Sequence, residues 1–155
     1  MNDLEQIAIQ VMTEEAGVTD VKVHSEPGYC VLDGGECETK VHIHYSYPQW
    51  VMARVGRGSS TRKRLGPESV RAALRRARKN NEALARATSL IHHGGRFTPV
   101  DGYLSNSVYL RLSDDPHDAR FRVQVTLRGS SLVVTGNTSW DEPLAREVES
   151  ILQGR

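Results

Sequence analysis

Residues 67–91, PESVRAALRRARKNNEALARATSLI, carry apolar side chains that repeat with the period of an α-helix. At about 100° per residue these side chains fall within a stripe about 100° wide, as expected of a helix that faces a core. Pro67 suits the first helical position, where its missing N–H costs nothing. We therefore predict a long middle helix that ends at His92-His93-Gly94-Gly95. Its apolar stripe comprises Val70, Ala73, Leu74, Ala77, Leu84 and Ile91.

The other side of the middle helix is strongly basic. Residues 54–96 contain twelve of the 20 Lys and Arg residues and two acidic residues, a net charge of +10. Residues 1–53 contain two basic and nine acidic residues, a net charge of −7, so the total of +1 hides a strong segregation. Such a basic block predicts a polyanion or a phosphate-bearing ligand as partner. On the helix it consists of Arg71, Arg75, Arg76, Arg78, Lys79 and Arg86.

The middle helix also carries a heptad pattern, with positions 70, 74, 77, 81, 84, 88 and 91 spaced alternately by four and three. Two interpretations follow. In one, two copies pair through this seam into a homodimer, and the polar Asn81 sets the register. In the other, which we favour, the helix lies on the protein's own sheet and Asn81 is satisfied at the edge of the core.

Strand patterns flank the middle helix on both sides. Residues 41–47 alternate an apolar face with a face that carries His42 and His44, and residues 121–127 alternate in the same way. Asn2 and Glu5 predict a capping box for a first helix that ends at Gly17, and Ser139 with Glu142 predicts one for a last helix. Further strand candidates are residues 21–24, 29–32, 50–55, 108–112 and 132–135. The order α-βββ(β)-α-βββ-α predicts an α+β fold with antiparallel sheets and three helices.

The length of 155 residues predicts a single α+β domain over residues 1–155. Residues 41–91 and 120–153 each read as a hairpin, a polar Gly/Ser segment and a helix. This likeness raises an internal duplication of a hairpin-loop-helix unit as a hypothesis.

Residues 56–66, GRGSSTRKRLG, show no periodicity and predict a basic loop before the middle helix. Backbone N–H groups, hydroxyls and the positive end of a helix dipole suit a phosphate at such a place. The rings of Tyr47 and Trp50, just before this loop, either stack a base or are buried against the middle helix. The candidate ligand-binding residues are Tyr47, Trp50, Arg57, Ser59, Ser60, Thr61, Arg62, Lys63, Arg64, Arg71, Arg75, Arg78 and Lys79.

Two families share this order of elements. A helix, three strands and a helix preceded by Gly, Ser and basic residues resemble a double-stranded-RNA-binding domain over residues 2–80. That resemblance implies RNA binding by Arg62, Lys63 and Arg64, although here they precede Pro67 and the Gly-Pro-x-His loop pattern is absent. Nearly the whole chain also resembles a type III secretion chaperone, a family that is usually acidic. Neither resemblance rests on a specific motif, and we assign no family.

Motifs for catalysis and metal binding are absent from the sequence. GRGSSTRKRLG is not a P-loop, there is no G-x-S-x-G elbow, and SDDPHDAR at residues 113–120 predicts a solvated hairpin loop. His42 and His44 alone fall short of the three or four ligands of a zinc site. We expect no catalytic residue, no metal and no cofactor. Cys30 and Cys37 are expected to be reduced thiols.

The leading functional prediction is non-enzymatic binding of nucleic acid or another phosphate-rich ligand, such as a phosphorylated small molecule. The alternatives are an adaptor that binds an acidic protein, whether secretion-chaperone-like or an accessory or inhibitor protein of a mobile element, and, third, a small enzyme. The N-terminus is amphipathic rather than a leader, and no apolar run approaches the ~20 residues of a membrane helix. We therefore expect a cytoplasmic protein with no membrane partner.

Overall fold

The computed structural model describes residues 1–154, which form three helices and two antiparallel sheets. This confirms the α+β class and the order in which helices and strands alternate. The chain, whose length predicted one domain, divides into two compact units, Met1–Asn81 and a second unit from Glu82 onward. The boundary falls inside the middle helix, so both units use part of that helix.

The first unit combines a helix, a five-stranded sheet and the first part of the middle helix. Each strand pairs with its neighbour in sequence, and every pairing is antiparallel. The elements are α1 (Asp3–Ala16), β1 (Lys22–Glu26), β2 (Tyr29–Asp33), a short 3-10 helix (Gly35–Cys37), β3 (Thr39–His44), β4 (Trp50–Val55), β5 (Gly58–Arg62) and α2 (Pro67–His93).

The first helix begins and ends as predicted. Asn2 Oδ1 accepts a hydrogen bond from the Glu5 N–H at 2.8 Å, and the Glu5 carboxylate accepts one from the Asn2 N–H at 3.2 Å. Gly17 ends the helix with φ of 67°, a conformation that glycine adopts without strain. The buried Glu5 carboxylate also accepts a hydrogen bond from Ser25 Oγ at 3.1 Å. The cap therefore also ties α1 to β1.

The core of the first unit lies between one face of the sheet and the two helices. Alternate residues of β2, β3 and β4 point into it, including Leu32, Ile43 and Val51. Val11 and Met12 of α1 cover these residues, and the stripe of α2 packs into the same core. The opposite face of the sheet is free of helices within this unit.

The second unit repeats this plan with four strands. Its sheet has the order β6-β7-β8-β9, and its core receives Leu84 and Ile91 from α2 and Ala145 and Val148 from the last helix. The elements are β6 (Phe97–Val100), β7 (Ser107–Leu112), β8 (Val123–Arg128), β9 (Ser131–Gly136), a 3-10 helix (Ser139–Asp141) and α3 (Glu142–Leu152).

The predicted apolar stripe of α2 is buried along its whole length. Val70, Leu74 and Ala77 belong to the first core, and Leu84 and Ile91 belong to the second. The exposed fraction of each of these residues is at most 1%. The seam is therefore occupied by the protein's own cores, as in the favoured interpretation, and leaves no surface there for the helix of a second copy. The homodimer itself stays a prediction.

The expectation of a loop at residues 56–66 is wrong, because part of this segment forms the edge strand β5. Its backbone pairs with β4, and the side chain of Asn80 on α2 donates a hydrogen bond to the Ser59 carbonyl oxygen at 3.0 Å. Asn81 Oδ1 accepts one from the N–H of Arg57 at 3.1 Å, which satisfies the polar residue of the seam. Gly58 lies so close to α2 that a Cβ there would be 2.1 Å from the Ala77 carbonyl oxygen.

The capping box predicted for the last helix, Ser139 with Glu142, is wrong: α3 has no side-chain cap, and a capping box begins the 3-10 helix just before it. Thr138, not Ser139, is the cap, and its partner is Asp141, not Glu142. Asp141 is buried and accepts a further hydrogen bond from Arg122 Nε at 2.6 Å, which holds it in place. A 3-10 turn therefore precedes α3, and the sequence spacing did not predict it.

We predict that Gly58→Ala destabilises the first unit by at least about 2 kcal/mol, because the added methyl group overlaps the backbone of α2. Gly66→Ala is the matched control, since nothing lies within 4 Å of a Cβ at that position, and we expect a change below about 0.5 kcal/mol. Urea unfolding followed by circular dichroism measures both. Equal stabilities of the two variants would contradict the packing of β5 against α2.

We predict that the two cysteines, both free thiols, differ in their reactivity toward thiol reagents. Burial, together with the hydrogen bond that the thiol donates to the Glu5 carboxylate, raises the pKa of Cys30 to about 11, whereas Cys37 is exposed. Because the thiolate is the reactive species, a thiol reagent should label Cys37 in the folded protein and Cys30 only after unfolding. Mass spectrometry of the labelled protein in buffer and in urea tests this, and rapid labelling of Cys30 in buffer would be inconsistent with its buried position.

Candidate functional site

The helix-free face of the first sheet, which we call the outer face, carries an unusual set of side chains. Its residues occupy alternate positions along the strands, and cross-strand pairing aligns them in three rows. From β1 to β5 the rows are Glu26, Tyr29, His44 and Trp50; His24, Val31, His42, Met52 and Thr61; and Lys22, Asp33, Lys40, Arg54 and Ser59. One row is thus aromatic, and one is rich in charge.

The aromatic row is held together by ring contacts. The rings of His44 and Trp50 stack with their centroids 5.2 Å apart and their planes 2° from parallel. Tyr29 approaches both rings edge-on, at 6.4 Å from His44 and 6.5 Å from Trp50. His44 Nδ1 also lies 2.9 Å from the Ser46 carbonyl oxygen. These contacts orient the Trp50 indole on the sheet.

His42, in the neighbouring row, has a pKa below its ordinary value. Burial lowers its pKa, and the positive charges of Lys40 and Arg54 lower it further. Its Nδ1 shares a hydrogen bond of 2.5 Å with the Tyr29 hydroxyl. This hydrogen bond joins the His42 ring to the Tyr29 ring of the aromatic row.

A cleft of about 800 Å³ opens beside the aromatic row, where β3 turns into β4. Tyr47 stands at this turn with 95% of its surface exposed, and the Trp50 ring forms another part of the lining. Lys63, just after β5, supplies a positive charge. The lining consists of residues 47–50 together with Met52, Thr61 and Lys63. The cleft therefore brings together four of the candidate ligand-binding residues, Tyr47, Trp50, Thr61 and Lys63.

The other candidates on the β4–β5 hairpin are arranged around the cleft or away from it. Arg62 and Arg64 are exposed on either side of Lys63, and none of the ion pairs within residues 1–154 involves these three cations. Arg57 lies in the β4–β5 turn. Ser59 is buried and Ser60 faces the core side of the sheet, so neither hydroxyl reaches the cleft lining.

Three candidates on α2 bind carboxylates of the chain itself. Arg71 Nη1 lies 3.1 Å from both the Glu14 and the Glu15 carboxylates, and Arg75 Nε lies 2.9 Å from Glu15. Arg78 donates a hydrogen bond to the Glu15 carbonyl oxygen at 2.7 Å and lies 3.4 Å from its carboxylate. The positive charge of these arginines is thus partly neutralised inside the first unit. Lys79, the remaining candidate on this helix, is exposed.

His42 and His44, which alone fall short of a zinc site, do not gain Cys30 as a third ligand. Cys30 is buried on the core side of the sheet, whereas His42 and His44 belong to the outer face. Within residues 1–154 no three His, Cys, Asp or Glu residues are grouped as metal ligands.

Two residues of the site, Tyr29 and His44, were not among the sequence candidates. Both residues lie on the outer face because side chains alternate between the two faces of a strand. The sequence already showed this alternation for His44. Their place beside Trp50 depends on the pairing of three strands, a register that the sequence does not state.

No helix within residues 1–154 has the length and apolar character that crossing a membrane requires. In comparisons with known proteins, no family model, no curated protein and no solved structure matches the chain.

We predict that Glu15→Gln lowers stability at neutral pH, because it removes the carboxylate that Arg71, Arg75 and Arg78 surround. Burial raises the pKa of Glu15, but hydrogen bonds from Arg71 and Arg75 and the charges of Arg75 and Arg78 outweigh it, so the pKa lies below the ordinary 4.5. A lowered carboxyl pKa stabilises the fold above about pH 4.5, and this stability is lost as the pH falls further.

Thermal unfolding between neutral pH and pH 3 checks this prediction. The Glu15→Gln variant should have a lower unfolding temperature than the original chain at neutral pH. It should also lose less stability than the original chain below about pH 4.5. Glu14→Gln is the control, because this more exposed carboxylate contacts Arg71 alone among the three arginines. An equal effect of the two substitutions would argue against Glu15 as the centre of the cluster.

Proposed function

We propose that the protein binds nucleic acid or another phosphate-rich ligand through the first unit, without catalysing a reaction. The observation that carries this proposal is the cleft in which the exposed ring of Tyr47, the half-buried ring of Trp50 and the cation Lys63 occur together. Nucleic acids present two chemical features, anionic phosphates and flat aromatic bases, and the cleft has a complement for each.

The charge that supports binding comes from the end of β5 rather than from the whole basic block. Arg71, Arg75 and Arg78 face acidic partners on α1, which reduces their field toward solvent. Arg62, Lys63 and Arg64 are exposed, and on the outer face Lys40 and Arg54 occupy adjacent strands. We therefore place the phosphate contacts at residues 62–64, with Arg54 and Lys79 as candidates for longer-range attraction.

A protein partner is the second candidate, and exposed side chains of the second unit favour it. Tyr103, Leu104 and Trp140 are large apolar residues with more than half of their surface exposed. Such residues can serve as anchors in a protein interface. We propose the cytoplasm as the compartment, since the two thiols are free and reducing compartments keep them so.

We predict that the double substitution Lys63→Ala with Arg64→Ala weakens binding of the protein to an oligonucleotide. Because each phosphate contact releases counterions, the slope of log K against log salt should decrease by about 1.4 on a single strand or about 1.8 on a duplex. Fluorescence anisotropy of a labelled oligonucleotide over a series of salt concentrations measures the slope.

Arg128→Ala is the matched control, since it removes an exposed arginine from the second unit. It should leave the slope almost unchanged. No detectable binding by the original chain at low salt would refute the nucleic-acid proposal and would leave the protein-partner candidate. A loss in the control about half as large as that in the double variant would show that only the total charge matters.

A further inference from the structure

We infer that the cleft of the first unit is a nucleobase-stacking subsite, and that the ligand is therefore a single-stranded nucleic acid. This inference rests on the proposed function and names the ligand class for the same site. It requires that a flat aromatic surface is presented, that phosphates can be held next to it, and that the bases of the ligand are open to contact.

The aromatic surface is presented by Trp50 and Tyr47. One face of the Trp50 indole is covered by the parallel ring of His44, so this ring is already part of a stack. Trp50 also lines the cleft, where a further flat ring can extend the stack beyond the indole. Tyr47 is almost completely exposed at the rim of the same cleft, so its ring is open to contact with a ligand.

The phosphates of such a ligand would lie along the end of β5. Lys63 belongs to the cleft lining, and Arg62 and Arg64 are its neighbours in the chain. Basic residues that follow a backbone beside aromatic rings that stack its bases are the general arrangement for binding single strands. A phosphate-bearing ligand without rings would use the cations but would leave Trp50 and Tyr47 without a partner.

A duplex fits this site poorly, because its bases are paired and stacked on one another. Stacking of a base on Trp50 would require that base to leave the helix, which costs unpairing energy. Single strands offer their ring faces without this cost, and stacking tolerates any base since each has a flat face. We therefore expect weak sequence preference and a preference for single strands over duplexes.

The test uses the intrinsic fluorescence of Trp50. Trp140, the other of the two tryptophans, is exposed in the second unit, and Trp140→Phe leaves Trp50 as the single emitter. This variant is titrated with a deoxythymidine strand of about ten nucleotides, with an abasic strand of equal length that carries the same phosphates, and with a duplex of the same length. The thymidine strand should quench Trp50, and the abasic strand should bind roughly 5- to 100-fold more weakly.

Two substitutions complete the test. Trp50→Phe keeps a ring and should weaken binding less than Trp50→Ala; because both variants lack the emitter, their binding is measured by the anisotropy of a labelled strand. Tyr47→Ala changes a side chain with little contact to the fold. Tyr47→Ala should weaken binding of the thymidine strand several-fold and leave binding of the abasic strand unchanged. The Tyr47→Ala variant keeps the test independent of any effect that substituting Trp50 has on the stability of the sheet.

The outcomes separate the two proposals. If the thymidine and abasic strands bind equally and Tyr47→Ala changes neither, the stacking subsite is wrong, while the proposed function survives as purely electrostatic binding. Tighter binding of the duplex than of the single strand would also overturn the inference. If neither strand nor the duplex binds at low salt, both proposals are wrong.

Discussion

The apolar stripe of α2 is the constraint on which both halves of the structure depend. Its N-terminal part supplies Val70, Leu74 and Ala77 to one core, and its C-terminal part supplies Leu84 and Ile91 to another. Each sheet leaves one apolar face open until this helix and a second helix cover it, α1 in the first unit and α3 in the second. The same stripe explains why the basic residues of α2 occupy the remaining surface of the helix.

The distribution of charge shows how a basic segment can serve two purposes. Glu15, with 9% of its side chain exposed, binds three arginines and so holds α1 against α2. The cations that remain for a ligand lie mainly at the end of β5, next to the aromatic row. A formal charge counted along the chain therefore overstates the charge that an incoming anion meets, because part of it stabilises the fold.

The sequence predicted those features that depend on local pattern. The caps of α1, the stripe of α2 and the bounds of β4 at Trp50–Val55 follow from spacing and from turn residues. β5 was not predicted, because an edge strand with polar side chains and a glycine against a helix has no apolar alternation. β6 was not predicted either, because Pro99 argues against a strand. The proline is tolerated here because β6 lies at the edge of its sheet. The arginines cluster around Glu15, and Tyr29 lies beside Trp50. Both contacts join residues that are distant in the sequence, so no local pattern could predict them.

The position of α2 in the chain also sets the order in which the protein can fold during synthesis. The first core contains α2 residues as late as Ala77, so α1 and the five strands lack one of their two covering helices until that residue is made. The arginines that bind Glu15 lie 56 to 63 residues further along the chain, so these contacts form only after they are synthesised. Closing contacts of such separation is slow compared with forming a local helix. The nascent chain thus exposes a nearly complete apolar sheet face, and the helix that finally covers it is also the first element of the second unit.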